Sequence, residues 1–243
     1  MEIKTTAFVL ACTDYKENDK LLTLFSAERG KMTAALRGAK KPTAKLKFAA
    51  QPFLLGEFIL AEKNGFFTVT GASAIDAFYA LRADVEKFYA ASCMAETLRR
   101  VLQEDQPEFA LFSALGTAFK LLSYEKTDAK LYLIRFLLTA LFEQGVGVDF
   151  SACKACGKEA ENYAFSFRDG GVYCKNCRPA DAVPLKSEVS DLLSAVFSAE
   201  AEELIGKKAD PVAERGALRL LGDFFAEHVG EELVSLSQYL TTF

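Results

Sequence analysis

Two cysteine pairs constrain this chain more than any other feature: Cys153-x2-Cys156 and Cys174-x2-Cys177, with seventeen residues between them. That spacing falls in the range of a four-thiolate zinc site. A two-residue gap lets both thiolates of one tight turn reach the same ion at about 2.3 Å in tetrahedral geometry. Gly157, directly after the second cysteine, supplies a residue that accepts positive φ where the backbone turns around the metal. Between the pairs, Tyr163 to Phe167 alternates aromatic with small residues. Gly170-Gly171 then turns the chain into Val172-Tyr173, so a short hairpin is expected to present the second pair to the first. A structural Zn²⁺ ion held by Cys153, Cys156, Cys174 and Cys177 is the expectation.

Catalytic zinc fits poorly, because such sites keep a coordination position open and recruit His or Glu. The H-x-E of nucleobase deaminases is missing. A redox C-x-x-C would not explain two matched pairs. Lys154, Lys158, Lys175 and Arg178 flank the ligands; they either offset the −2 formal charge of a four-thiolate zinc or contact phosphates. Cys12 and Cys93 carry no motif and read as small core residues.

Little else speaks for catalysis. No G-x-x-x-x-G-K-[ST] occurs, so no nucleotide cofactor is expected. Gly145-Val146-Gly147 closes a helix instead of following a strand, and the single histidine, His228, has no carboxylate or serine pattern around it. No enzyme is expected and no catalytic residue is assigned. The longest apolar run, Leu131 to Phe142, has 12 residues and is interrupted by Arg135, which reads as a buried helix and not a membrane span. The N-terminal Met1-Glu2-Ile3-Lys4 lacks the layout of a signal peptide, so a cytoplasmic protein without membrane association is expected.

Hydrophobic periodicity divides the rest. The first 75 or so residues read as five short strands: Ile3 to Cys12, Leu21 to Phe25, Lys31 to Arg37, Phe53 to Glu62 and Phe66 to Thr70. Asn64-Gly65 between the last two is the pair that most readily forms a type I′ turn. Five strands with a long loop between the third and fourth suit a small closed barrel, commonly an OB-fold. From about Ala77 the period becomes helical. One amphipathic helix is expected through Leu81, Val85, Phe88, Ala95, Leu98 and Leu102, and another through Phe109 to Leu122. Two more follow the cysteines: one from Val189 with Ser187 as cap, and one with Asp210 as N-cap and Pro211 in the first position. The fold class is thus α+β. An OB-fold over residues 1–78 precedes an all-α domain over 79–243, with the zinc finger inserted at about 149–181.

Charge separates the same halves. Residues 1–75 carry eleven Lys or Arg against seven Asp or Glu, a net +4, so the remainder holds −8 of the overall −4. Seven cations and no acid lie between positions 29 and 47: Arg29, Lys31, Arg37, Lys40, Lys41, Lys45 and Lys47. Aromatic residues Phe48, Phe53, Phe58, Phe66 and Phe67 occupy the adjoining strands, although alternation places some of them in the core. A cationic groove with exposed rings is how OB-folds hold single strands, so these seven residues are the candidate DNA contacts.

Three stretches carry a family resemblance: Tyr15-Lys16-Glu17-Asn18-Asp19-Lys20, Leu22-Thr23-Leu24-Phe25-Ser26-Ala27-Glu28-Arg29-Gly30-Lys31, and Arg37-Gly38-Ala39-Lys40-Lys41. With the order of parts, they resemble the first hairpin and basic loop of RecO, a family of bacterial recombination mediators. Ser26 and Thr43 are mild departures, standing where Thr and Ser are expected. The resemblance spans essentially the whole chain, and the cysteines match the zinc-bearing members.

It implies DNA repair by homologous recombination without ATP, and nucleoid association. Members bind single- and double-stranded DNA, anneal complementary strands, and act with RecR to help RecA displace single-strand-binding protein. The alternative reading is a zinc-stabilised protein–protein interaction module that binds no DNA directly.

Overall fold

The computed structural model describes residues 2–160 and 162–243. Met1 and Glu161, which belong to the N-terminal and cysteine segments read above, lie outside the described residues.

Five strands form a closed barrel: β1 (Glu2–Tyr15), β2 (Asp19–Ser26), β3 (Gly30–Leu36), β4 (Leu55–Lys63) and β5 (Phe66–Asp76). Their order around the barrel is β1-β2-β3-β5-β4. All neighbours are antiparallel except β3 and β5, whose parallel pairing of Ala34 with Phe67 and Ala35 with Thr68 closes the sheet. This is the OB-like barrel expected from the strand count. Leu22, Leu24, Met32, Ala34, Phe58 and Leu60 point inward and are all but fully buried.

The long connection from β3 to β4 folds on its own terms. Asp19 Oδ1 accepts the Gly38 N–H at 2.8 Å and the Asn18 carbonyl accepts that of Lys40 at 3.1 Å, which fastens its start to the β1–β2 turn. A short 3-10 turn at Lys47–Ala50 then buries Ala49 against the barrel. Phe53, expected to begin the fourth strand, instead adopts φ +70 and donates its N–H to the Val9 carbonyl at 2.9 Å. Pro52 removes a donor just before it, so the ladder starts two residues later, at Leu55.

The helical half holds α1 (Tyr79–Ala83), α2 (Val85–Val101), α3 (Phe109–Tyr124), α4 (Ala129–Glu143), α5 (Ser187–Ser198), α6 (Pro211–Val229) and α7 (Val234–Thr242). The expected helix through Leu81 and Leu102 breaks at Asp84, which is extended and caps α2 by accepting the Lys87 N–H at 3.0 Å. A short polar side chain that competes for backbone donors explains the break. Ser187 is the first residue of α5 and makes no side-chain cap; Lys186 holds the cap position. Asp210 and Pro211 behave as read, with Asp210 accepting the Ala213 N–H at 3.0 Å. The N-terminus of α7 is capped from another helix. Buried Glu96 of α2 accepts the Ser235 N–H at 2.8 Å and the Val234 N–H at 3.3 Å. Burial opposes its ionisation, yet these bonds hold the carboxyl below its ordinary range. Apolar α4 lies at the centre of the bundle, packed against α2, α3, α5 and α6.

Barrel and bundle share a core. Phe8, Phe25 and Phe53 face away from the barrel interior into an aromatic seam with Phe112 and Phe119. Ring centroids lie 4.8 Å apart for Phe8–Phe112, 5.4 Å for Phe25–Phe112 and 5.5 Å for Phe53–Phe119. Each buried phenyl contributes about 1.5–3 kcal/mol. The β2–β3 turn is pinned to the α2–α3 connection: Lys31 N–H donates to the Gln103 carbonyl at 3.1 Å, and Glu108 N–H to that of Ala27 at 2.9 Å. Gly30 makes this approach possible. Its φ is +60, and a Cβ there would lie 2.4 Å from the Gln106 carbonyl oxygen.

Candidate metal centre and nucleic-acid interface

The four paired cysteines converge. After α4 the chain passes Phe150, stacked on Phe165 at 6.0 Å, and enters the first cysteine turn. There the Cys153 carbonyl accepts the Gly157 N–H at 2.8 Å, and Gly157 takes φ +67. Strands β6 (Tyr163–Ser166) and β7 (Gly171–Cys174) make the expected hairpin. A third strand, β8 (Val183–Leu185), pairs on the far side of β6. The second turn repeats the first, with the Cys174 carbonyl accepting the N–H of Cys177 at 3.0 Å and of Arg178 at 3.1 Å. The Lys154 N–H bonds the Val172 carbonyl at 2.8 Å and ties the two turns together.

Sulfur atoms of Cys153, Cys156, Cys174 and Cys177 all lie within 4.8 Å of one another, Cys156 and Cys174 at 4.0 Å. Four thiolates at about 2.3 Å from a tetrahedral zinc stand about 3.8 Å apart, so the set fits that ion in number, chemistry and spacing. All four are free thiols. Burial opposes ionisation of Cys153, but backbone N–H groups of Cys174, Cys156 and Ala155 point at its sulfur and bring it down to about 6, whereas Cys177, hydrogen-bonded to the Cys174 and Cys156 sulfurs, is pushed up to about 12. Of the flanking cations, Lys154 turns back to the Asp169 and Gly170 carbonyls, while Lys158, Lys175 and Arg178 are exposed. Cys93 is fully buried in α2, and burial pushes its thiol up to about 12. Cys12 is half-buried against the barrel core, and burial raises its thiol too.

The seven cations between 29 and 47 separate into two groups. Arg37, Lys41, Lys45 and Lys47 are exposed, and none of them has an ion pair among the described residues. Of the other three, Lys31 and Lys40 have partners within the fold and Arg29 is half-buried. Lys40 pairs with Asp14 at 2.9 Å, Lys31 Nζ donates to the Arg99 carbonyl at the end of α2 at 3.0 Å, and Arg29 sits half-buried in the turn pinned to the α2–α3 connection. Lys40 and Lys20 together hold the Asp14 carboxyl below its usual range.

Alternation along β3 sets the side on which Arg37 emerges, whereas Lys41, Lys45 and Lys47 lie on the connection to β4. Met32, Ala34 and Leu36 fill the barrel, so Lys31, Thr33, Ala35 and Arg37 line its outer face. A groove of about 490 Å³ crosses that face between the β1–β2 turn, the β4–β5 turn and the α2–α3 connection. Its floor is Leu21, Thr33 and Ala35. Tyr15, Lys16 and Phe66, which were not among the candidate contacts, stand on its rim. Of the five phenylalanines noted in the sequence, Phe53 and Phe58 are core, Phe48 and Phe67 pack partly against the barrel core, and Phe66 is 79% exposed. Asn64 at φ +53 and Gly65 at φ +77 form the expected tight turn. Phe66, beside it, points outward because Phe67 and Val69 alternate inward.

No helix among the described residues is long and apolar enough to cross a membrane.

Two family models match the chain, one described as "Recombination protein O N terminal" over residues 1–78 and one as "Recombination protein O C terminal" over residues 82–237. Similar curated proteins agree. One named DNA repair protein RecO, from Bacillus pumilus, is 30% identical over 237 residues, covering 97% of this chain and 92% of the relative. Its namesake from Alkaliphilus metalliredigens is 28% identical over 232 residues, 94% of each chain. That from Bacillus subtilis is 30% identical over 199 residues, 81% of this chain and 78% of the relative.

Proposed function

From the premise that the chain belongs to the RecO family, we propose that it is a DNA-binding, strand-annealing recombination mediator without catalytic chemistry of its own. The observation that carries this reading is the set of exposed cations Arg37, Lys41, Lys45 and Lys47, none with an ion pair among the described residues; Arg37 lines the groove and the other three follow it on the connection from β3 to β4. Phosphate contacts from such cations give affinity without sequence preference, as an annealing factor needs. Two strands held by a common cationic surface lose their mutual repulsion while their bases stay free to pair.

In this reading the partners are single- and double-stranded DNA, RecR, and single-strand-binding protein on the strand to which RecA is delivered. The acidic helical half is the part available to protein partners. Zinc held by Cys153, Cys156, Cys174 and Cys177 would be structural, since four thiolates leave no open position for a substrate. Its contribution is to hold the β6–β7 hairpin and both cysteine turns against α6, where Phe165 meets Phe224 at 5.4 Å. Of the seven candidate contacts, the four exposed cations supply most of the phosphate binding, and Arg29, Lys31 and Lys40 mainly shape the face.

Annealing of complementary oligonucleotides coated with single-strand-binding protein tests the reading. Acceleration that is lost when Arg37, Lys41, Lys45 and Lys47 are neutralised together is the expected result. A protein that binds neither strands nor duplex at low salt would be the protein-only interaction module instead.

A further inference from the structure

Resting on that reading of the barrel face, we propose that Phe66, with Tyr15 across the groove, is a base-stacking subsite, and that it makes this groove a receptor for unpaired bases. The ligand class is single-stranded DNA in preference to duplex.

Phe66 is 79% exposed and Tyr15 is 42% exposed, and the two rings rise from different turns on the rim of one groove. The backbone sets where Phe66 projects. It forms the last rung of the β4–β5 ladder, paired with Lys63, one step from a turn whose two central residues both have positive φ. Lys63, its cross-strand partner, projects from the same face of the ladder. On the opposite rim the Lys16 ammonium lies 5.1 Å from the centroid of the Tyr15 ring. The Tyr15 ring therefore has a cation next to it, the pairing that lets a base lie on the ring while its phosphate meets the charge.

The floor between the rings is Leu21, Thr33 and Ala35, and over the two short side chains, Thr33 and Ala35, a flat base can approach the sheet. At one end Glu104 and Asp105 of the α2–α3 connection are exposed on the wall. Their charge repels phosphate from that end and draws the backbone towards Lys16 and Arg37. A base inside a duplex has both faces covered by its neighbours and cannot lie on Phe66. Phosphates are common to both forms of DNA, so the aromatic rim is what distinguishes them.

The test uses the full chain with three probes of equal length: oligo(dT), an abasic oligomer, and a duplex. Phe66→Ala should weaken oligo(dT) binding by about fivefold to a hundredfold, the range carried by loss of one ring–base stack. It should leave abasic and duplex binding, and the salt dependence, unchanged. Phe66→Trp should retain affinity. The chain contains no other tryptophan, so its fluorescence should be quenched by oligo(dT) and not by the abasic oligomer. Two results overturn the subsite: Phe66→Ala binding oligo(dT) as the wild type does, or the wild type holding the abasic oligomer as tightly as oligo(dT). If either occurs while neutralising Arg37, Lys41, Lys45 and Lys47 still abolishes binding, only the stacking subsite falls. If the wild type binds none of the probes, the DNA-face reading falls with it.

Discussion

Replacing Arg37, Lys41, Lys45 and Lys47 together by alanine removes four exposed cations that have no ion pair among the described residues. Each phosphate contact on a single strand contributes about 0.7 to the slope of log affinity against log salt, so loss of all four flattens that slope by about 2.8. Over a fourfold rise in salt, from about 50 mM to about 200 mM, the wild type should lose about 50-fold more affinity than the variant. Fluorescence anisotropy of a labelled oligonucleotide across that range reads both values. The companion variant Lys31→Ala, Lys40→Ala removes as much charge per residue, but from ammonium groups already held by the Arg99 carbonyl and the Asp14 carboxylate. Its slope should move by less than one contact per residue. Two outcomes refute the reasoning: a slope unchanged in the quadruple variant, or an equal change per residue in both. The loop itself should survive, because its anchors are the Asp19 carboxylate and backbone groups.

Three further expectations concern stability. Metal analysis should find one zinc per chain; Cys153→Ala should lose it and lower the melting temperature, whereas Cys93→Ser and Cys12→Ser should keep it. Retained zinc in the Cys153 variant would contradict the four-thiolate site. Glu214 is buried, and Asp128 adds repulsion to the desolvation that pushes its carboxyl up from 4.5 to about 7. The native state therefore keeps this proton to higher pH than the unfolded chain does. Stability should fall as pH rises from about 4.5 to about 7 and level off above, with Glu214→Gln gaining up to about 3 kcal/mol over wild type at pH 8 and almost nothing at pH 4.5. Denaturant titrations at both values check this, and an equal gap at the two pH values would refute it. Gly30→Ala meets both a positive φ and the Gln106 carbonyl, so a loss of about 2 kcal/mol or more is expected from the same titration.

Where local chemistry dominates, the chain could be read directly. The cysteine spacing, the Asn64-Gly65 turn, the Asp210-Pro211 helix start and the inward alternation of β3 depend on neighbours within a few residues. Tertiary contacts decided the rest. Phe53 leaves its expected strand because the seam with Phe119 and a hydrogen bond to Val9 hold it in a left-handed conformation. The partition of seven cations into free and committed depended on Asp14 and on the end of α2, 68 residues from Lys31 in sequence. Period-two patterning showed that Phe66 and Phe67 face opposite ways but gave no sign of which ring met solvent. That followed once the parallel pairing of Ala34 with Phe67 closed the barrel. The acid end of the groove had no local signal, since Glu104 and Asp105 belong to a connection between helices.

Phe8, Phe25 and Phe53 are carried by the barrel but buried by the helices, and this sets how the chain can be divided. A fragment ending near residue 78 would present three phenyl rings to water, an adhesive patch that the helices cover in the full chain. Such a fragment should self-associate more strongly than the full chain. Heating should unfold barrel and bundle in a single transition, because neither can open without stripping the other's aromatic lining. Two units of topology thus behave as one unit of cooperativity, and strain imposed on the groove by a bound strand has a stiff path into the helices through α3.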